Sequence, residues 1–547
     1  MLKTLLLLLF TLIISTFSAF SQGKYLVYFT DKANNGYSVD KPLEFLSQKS
    51  IERRQRQGIP VRYSDLPVTK TYSDSLKKLG FHVWYTSRWF NAAYVYVRDT
   101  SKIRTVASKL GFVSKIDVLK PTSDTIFAKN SSGRKQKTEK NNIESNDYGN
   151  SLNQVSQIGA DEMHKMGYNG RGITIAIFDG GFTNADKVSF LDSVFQQNRV
   201  LGTYDFVYNK PYVYFGSDHG TNVMSCIAGY SKGKLIGTGY KASFYLFRTE
   251  DGASEYPVEE ANWLIAAEKA DSLGVDIINS SLGYSSFDDP RLDNTFEKRD
   301  GRKPISSRAA AMAARVGMIS IISAGNGGRS KIDPYVSSPG DADSVLTVGA
   351  VDSDGKIAEF SSFGPTVDGR IKPDVVAKGV SATLGYSNGS ISTGNGTSFS
   401  APVLTGMVAG LWQSLPSYTN MQIINLVRRS GSLSSNPENK MGYGIPNFFK
   451  AQLLSMGKSH LVISDKYIYP NPFTNEQLML VLNPDDVGKT FEIEIYDISA
   501  KSIFKQKIEN AQMSNMLNLN SQSLIQGLYF VKLAGPNETS VIKLMKN

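Results

Sequence analysis

Four histidines are all the imidazole the chain offers, so the search for an acid–base group is short. His82 lies in an early strand-like run, His460 near a late junction, and His164 in the polar stretch DEMHKMG, which reads as a helix surface. His219 is different, because it stands in SDHGTNVMSCIAG, where a loop runs directly into a small-residue helix. A histidine in that position is ordinarily a cap or a surface residue. Its meaning depends on what else is delivered beside it.

Asp179 closes the apolar run ITIAIFD and is followed by Gly180 and Gly181, which puts a carboxylate at a strand end where other backbone can approach closely. Ser398, in GNGTSFSAPV, opens a helix whose next turn includes Pro402, a residue tolerated where N–H groups lack intrahelical partners. Those free N–H groups and the helix dipole would stabilise a negative oxygen forming beside the serine. Asn326 ends the run MISIISAGN and brings a neutral amide that can donate to developing negative charge. Each residue has a plainer explanation taken singly: DGG is a common strand ending, Ser398 a helix cap, Asn326 a turn residue. Together they supply a carboxylate, an imidazole, a hydroxyl and an oxyanion donor, the set that nucleophilic acyl transfer needs.

The elements that must position this set lie between residues 151 and about 456. ITIAIFD, ASFYLFRT, VDIINSSLG and MISIISAGN read as buried parallel strands. VEEANWLIAAEKADSLG, SSRAAAMAARVG and SAPVLTGMVAGLWQSL read as helices between them. That alternation predicts a doubly wound, mostly parallel α/β sheet whose site lies at the carboxyl ends of the strands.

At 547 residues the chain is too long for one core. Residues 1–21 carry one early lysine, an apolar run and small residues at Ala19 and Ser21, the pattern of a secretory signal. No cysteine follows the run, so no lipid anchor is expected there, and no other stretch is apolar enough to cross a bilayer. Residues 24–122 mix strand-like and helix-like runs as a small α/β domain; 123–150 are polar and rich in lysine and asparagine, as in a linker; 460–547 show short alternating strands, as in an all-β sandwich. The net charge of +10 comes from dispersed basic residues, and the densest runs, IERRQRQG and SGRKQKTEK, lie outside the segment with the chemistry. Nucleic-acid binding is therefore not expected. The single cysteine, Cys226, cannot form an internal disulfide and reads as a buried, inert thiol.

The motifs in order, IAIFDGG, HGTNVMSCIAG, SSLG at 280–283, SAGN and GTSFSAP, resemble those of the subtilisin-like serine proteases over about 280 residues. The resemblance implies Ser398 as nucleophile, His219 as general base and then acid, and Asp179 as the partner of His219. Asn326, with the backbone N–H of Ser398, would form the oxyanion hole. Ser281, Leu282 and Gly283 would bind an extended peptide as an added strand. No cofactor is implied; family members often bind calcium for stability, but no stretch has the acidic spacing of a calcium loop, so no metal ligand is named. Two positions depart from the family: Gly180 stands where a serine or threonine is usual, and Asn222 where a second histidine is frequent.

Residues 24–122 resemble a subtilase propeptide, the alternative being an independent binding domain. YPNPF at 469–473 and the ending GLYFVKLAG to IKLMKN resemble the sorting domain of proteins exported by the type IX system of Bacteroidetes, the alternative being a carbohydrate- or protein-binding β-module. The resulting expectation is a secreted or surface-bound serine endopeptidase made as a zymogen, acting on polypeptides, with its own propeptide and the type IX machinery as partners. Two other functions stay open at this point: an inactive subtilase fold kept for surface binding, and a metal hydrolase built on Asp179, Asp218 and His219.

Overall fold

A computed structural model describes residues 22–121, 145–455 and 467–546, apart from a few positions within the first and last of these stretches. The expected signal at 1–21, most of the expected linker, His460 and most of YPNPF lie outside the described residues. The chain divides into two compact units, Met1–Ser455 and Met456–Asn547.

The first domain of the larger unit has strands β1 (Gly23–Phe29), β2 (His82–Ser87), β3 (Ala92–Val97) and β4 (Val113–Lys120), with helices α1 (Gln48–Arg56) and α2 (Lys70–Lys78). The strands form an antiparallel sheet of order β2-β3-β1-β4. The alternation of β1 sorts its side chains between two cores. Tyr25, Val27 and Phe29 pack with Val68 and Leu76 inside the domain, while Leu26 and Tyr28 share a core with Trp263 and Ala309 of the following domain. His82 is an exposed residue of β2 set edge-on to Trp84.

Seven further strands carry the rest of the unit: β5 (Thr174–Asp179), β6 (Val200–Asp205), β7 (Ser243–Arg248), β8 (Ile277–Ser280), β9 (Ile319–Ser323), β10 (Leu346–Val351) and β11 (Val375–Lys378). They make one parallel sheet of order β11-β10-β9-β8-β5-β7-β6. The expected doubly wound fold is present, with three strands, β6, β10 and β11, beyond the four legible as apolar runs. Every residue of β5 is buried, as a parallel strand covered on both faces must be. Ile175 and Ile177 face helices α3 (His219–Ala228), α6 (Thr397–Ser414) and α7 (Asn420–Ser430). Ala176 and Phe178 face α4 (Val258–Leu273) and α5 (Ile305–Arg315).

The two domains of this unit are joined through α4 by buried ions. Asp271, fully buried, receives Arg53, Arg54 and Arg88 from the first domain, and Arg54 also pairs with Asp65 at 3.1 Å. Burial opposes the charge of Asp271, but the three guanidiniums outweigh it and hold the carboxyl below its ordinary range. One turn earlier on α4, Glu268 accepts from the Arg88 N–H at 2.8 Å and the Trp89 N–H at 3.2 Å.

His164 corrects its sequence reading. It is buried at 7% exposure, with Nδ1 at 2.9 Å from the Tyr148 hydroxyl and Nε2 at 2.9 Å from the Thr238 carbonyl. Burial pushes its pKa down to about 4, so it stays neutral and serves as a core residue. Tyr148 belongs to the end of the stretch read as an exposed linker, and its 1% exposure ties that end into the core.

The second unit has two antiparallel sheets around one core. The first, ordered β12-β13-β16, uses β12 (Tyr467–Tyr469), β13 (Gln477–Val481) and β16 (Ser514–Asn518). The second, ordered β15-β14-β17-β18, uses β14 (Phe491–Tyr496), β15 (Ser502–Ile508), β17 (Gly527–Ala534) and β18 (Thr539–Lys546). Leu478 and Leu480 of one sheet meet Ile493, Val531 and Leu544 of the other, as in a sandwich.

Candidate active site

Neighbouring strands β5, β8 and β9 end side by side, and each continues into a predicted functional segment: Asp179, Ser281–Gly283 and Asn326. The His219 imidazole donates from Nδ1 to the Asp179 carboxylate, 2.9 Å from Oδ2 and 3.0 Å from Oδ1. Asp179 is 1% exposed, and its Oδ1 also accepts the Gly180 N–H at 2.8 Å. The Gly180 backbone therefore supplies a bond where a side chain is missing. At the next position, Arg248 Nε holds the Gly180 carbonyl at 3.0 Å while its guanidinium pairs with buried Asp205 at 3.1 Å. Nothing in the sequence pattern singled out Arg248.

Helix α3 begins at His219, so that Gly220 can press against the loop after Asp179. The Gly220 N–H reaches the Gly181 carbonyl at 3.2 Å, and a Cβ at residue 220 would stand 2.3 Å from that oxygen. Only glycine permits this approach. Burial alone would lower the His219 pKa, but the charge and hydrogen bond of Asp179, with the charge of Asp218, outweigh it and raise the pKa above 6.5. Asn222 donates to the Gly385 carbonyl at 3.0 Å and ties α3 to its neighbour.

Ser398 is the second residue of α6, and its hydroxyl donates to the Ser281 carbonyl at 3.3 Å. Ser281 Oγ in turn donates to the Ser398 carbonyl at 2.9 Å. The ring of Phe399, the next residue, lies 5.8 Å from that of His219, so the starts of α3 and α6 face each other. The Ser398 N–H has no protein partner among the described residues.

Asn326 is oriented by Thr397, a residue the sequence reading passed over. The Thr397 N–H and hydroxyl both donate to Asn326 Oδ1 at 3.0 Å. A peptide N–H can only donate, so the atom facing Thr397 is the oxygen and the amide NH2 is turned outward. Gly396 caps the helix at φ 153, and a Cβ built there would lie 3.7 Å from both Asn326 Nδ2 and Ser398 N. The Asn326 amide nitrogen and the Ser398 backbone nitrogen thus border the same side of Gly396.

A cavity of about 240 Å³ adjoins them, lined by Ser281–Gly283, Ser323, Asn326, Ser337 and Ser398 among others. Ser337 stands at 7% exposure with its Oγ buried and unpartnered. Gly283 leaves it room, since a Cβ at residue 283 would overlap Ser337 Oγ at 2.0 Å. Gly283 itself is exposed, and its N–H and C=O take no protein partner among the described residues. Cys226 is fully buried with its thiol pushed up to about 12, and so is inert.

Comparison with known proteins agrees with this arrangement. The model of the subtilase family matches residues 170–444, that of a peptidase S8 propeptide domain of the Bacteroidota matches 24–141, and that of a secretion system C-terminal sorting domain matches 467–547. Subtilisin amylosacchariticus of Bacillus subtilis subsp. amylosacchariticus is 31% identical over 287 residues, 52% of this chain and 66% of that protein. A subtilisin of Bacillus pumilus is 31% identical over 274 residues, 49% of this chain and 87% of that protein. A thermostable alkaline protease of Halalkalibacterium halodurans is 26% identical over 288 residues, 52% of this chain and 68% of that protein. The sorting domain marks the protein for type IX secretion to the cell surface or the extracellular space. No helix among the described residues is long and apolar enough to cross a membrane. With its propeptide domain before the parallel-sheet domain and its sorting domain after it, the chain belongs to the subtilase family.

Proposed function

We propose that the protein is a serine endopeptidase, made as a zymogen, which hydrolyses peptide bonds of polypeptides through an acyl-enzyme, with Asp179, His219 and Ser398 as its triad. An extended substrate lies along Ser281–Gly283 and pairs with the open backbone of Gly283. The Ser398 hydroxyl leaves the Ser281 carbonyl for Nε2 of His219 and gives up its proton there as Oγ bonds to the substrate carbonyl carbon. Asp179 holds the ring in the tautomer with Nδ1 protonated and stabilises the imidazolium that forms.

The carbonyl oxygen, now negative, enters the space beside Gly396 and accepts from Asn326 Nδ2 and the Ser398 N–H. His219 returns the proton to the leaving nitrogen as the C–N bond breaks. Water, deprotonated by the same ring, then attacks the ester; the acid leaves and Ser398 recovers its proton.

The observation that carries the proposal is the pairing of His219 Nδ1 with the buried Asp179 carboxylate at 2.9 Å, with the ring of Phe399, next to Ser398, 5.8 Å from the imidazole. The test is reaction of the processed protein with a fluorophosphonate, followed by mapping of the modified residue. Label on Ser398 is the expected result. Processed protein that remains unlabelled overturns the proposal.

A further inference from the structure

Three strands of the main sheet end level with one another: β5 at Asp179, β7 at Arg248 and β6 at Asp205, with Arg248 the register partner of both acids. Arg248 is 4% exposed and Asp205 fully buried, and the guanidinium meets the Asp205 carboxylate at 3.1 Å. A buried ion pair adds little stability over apolar residues of the same size, so its place at these strand ends calls for another reason. The remaining nitrogen supplies one, since Arg248 Nε donates to the Gly180 carbonyl at 3.0 Å. We propose that Arg248 is a positioning residue for Asp179 and His219, clamping together the two loops that carry them. The inference rests on the reading of these two residues as members of the triad.

Gly180 has no side chain to anchor it, and β7 with the residue after it holds it from both sides. The Thr249 N–H donates to the Asp179 carbonyl at 3.0 Å and fixes the peptide plane before Gly180, while Arg248 fixes the plane after it. The Gly180 N–H is thereby kept on Asp179 Oδ1 at 2.8 Å. The same Gly180 carbonyl receives the Ser217 N–H at 3.4 Å, and Ser217 Oγ accepts the His219 N–H at 3.1 Å. Gly216, at φ 81, lets this second loop come so close: a Cβ there would lie 3.0 Å from the Gly180 oxygen and 3.4 Å from Arg248 Nε. The rings of Phe215, from the same loop, and of Tyr208 lie 5.2 and 4.8 Å from the guanidinium carbon. One side chain thus touches the loop behind the carboxylate and the loop behind the imidazole.

Asp205 keeps the clamp from disturbing what it holds. It draws the guanidinium to the β6 side, while the Asp179 carboxylate takes the Gly180 N–H and His219 Nδ1. Asp205 is itself fixed by the Val207 and Tyr208 N–H groups, 2.9 and 3.1 Å from its Oδ1. A planar fork can meet a carboxylate with a terminal nitrogen and a carbonyl with Nε. A lysine has one nitrogen for both.

The test separates positioning from support of the fold. Arg248→Lys keeps a charge beside Asp205 and gives up the Gly180 bond. Arg248→Met combined with Asp205→Asn removes both charges and still leaves an oxygen at residue 205 for the Val207 and Tyr208 N–H groups, so no bare carboxylate is buried. Each is made in the full chain carrying Ser398→Ala, where NMR follows the His219 Nδ1–H proton and the titration of the ring without any need for hydrolysis. Loss or broadening of that signal is expected in both variants, with the His219 pKa lowered toward 6.5 as the hold of Asp179 slackens and Asp218 alone remains in place. In processed enzyme with Ser398 intact, kcat should fall about 10²-fold with KM nearly unchanged, the cost of a small misplacement of reacting groups. Variants that melt lower yet keep the His219 signal, its pKa and kcat show that Arg248 only supports the fold, and overturn the proposal. Parent enzyme that a fluorophosphonate leaves unlabelled refutes the triad reading instead, and the NMR comparison still decides on Arg248.

Discussion

The hydroxyl of Ser398 rests on the carbonyl oxygen of Ser281 at 3.3 Å, while Ser281 Oγ bonds back to the Ser398 carbonyl at 2.9 Å. The proposed nucleophile and the proposed substrate strand are locked by reciprocal bonds, one of which would have to open for reaction. Ser398→Ala removes that bond alone, so the variant should fold normally. In other subtilases loss of the serine lowers kcat by about 10⁶, and a loss of that order is expected here. N-terminal sequencing should find the propeptide still attached in the variant; equal processing in both proteins would mean that another protease makes the cut.

Asn326→Asp keeps an acceptor for Thr397 and loses the donor aimed beside Gly396. Removal of such a donor costs other subtilases roughly 10²–10³ in kcat, and the added negative charge here should make the loss no smaller. KM should change little, because the oxyanion exists only in the transition state. Steady-state kinetics on a peptide ester decides; an unimpaired kcat would take Asn326 out of the reaction.

The rate should depend on pH through His219, whose pKa lies above 6.5. Only the neutral ring can accept the serine proton, so kcat/KM should rise with pH and reach half its plateau above 6.5. Asp179→Asn removes the charge that raises the pKa; the midpoint should move down and the plateau fall about 10⁴-fold, as in related triads. An acid limb unmoved by that substitution would assign the titration to another group.

The cavity beside Ser398 presents Ser323 and Ser337, the latter with an unpartnered Oγ. A site that can hydrogen-bond a side chain discriminates against one that cannot. Peptides whose residue before the cut is serine, threonine, asparagine or glutamine should be preferred to large aliphatic ones. Ser337→Ala should shift the ratio toward apolar residues by roughly tenfold. Profiling of a peptide library reads this directly, and an identical ranking in both enzymes would refute it.

Asp271→Asn leaves three arginines facing a neutral group at the propeptide contact. Breaking a buried ion pair from one side costs about 3–5 kcal/mol. The unprocessed Ser398→Ala chain should therefore melt well below its Asp271 parent, whereas the processed enzyme, without those arginines, should be little affected. Calorimetric scans of both forms make the comparison; equal losses would show that Asp271 acts within α4 alone.

What the sequence revealed depended on how far each signal travelled along the chain. Asp179, His219, Asn326 and Ser398 were legible because each closes or opens an element strong enough to be read locally, and adjacency of β5, β8 and β9 does the rest. β11 was missed because its apolar run, Val375–Ala377, is closed on both sides by the charged residues Asp374 and Lys378, leaving too little to show a period. His164 was misread from its polar neighbours, since DEMHKMG says nothing of Tyr148, 16 residues earlier, which covers it. The three arginines of Asp271 come from residues 53, 54 and 88, and no local pattern joins them.

The meeting of Asp271 and Glu268 with the propeptide has a consequence that outlasts maturation. Were the proposed cleavage to remove Arg53, Arg54 and Arg88, both acids, one turn apart on α4, would be uncovered as an anionic footprint on the remaining domain. Rebinding of the severed segment would then be steered by long-range attraction that dissolved salt weakens. On the proposed zymogen reading, ionic strength at the place of release would set how long the severed segment stays bound.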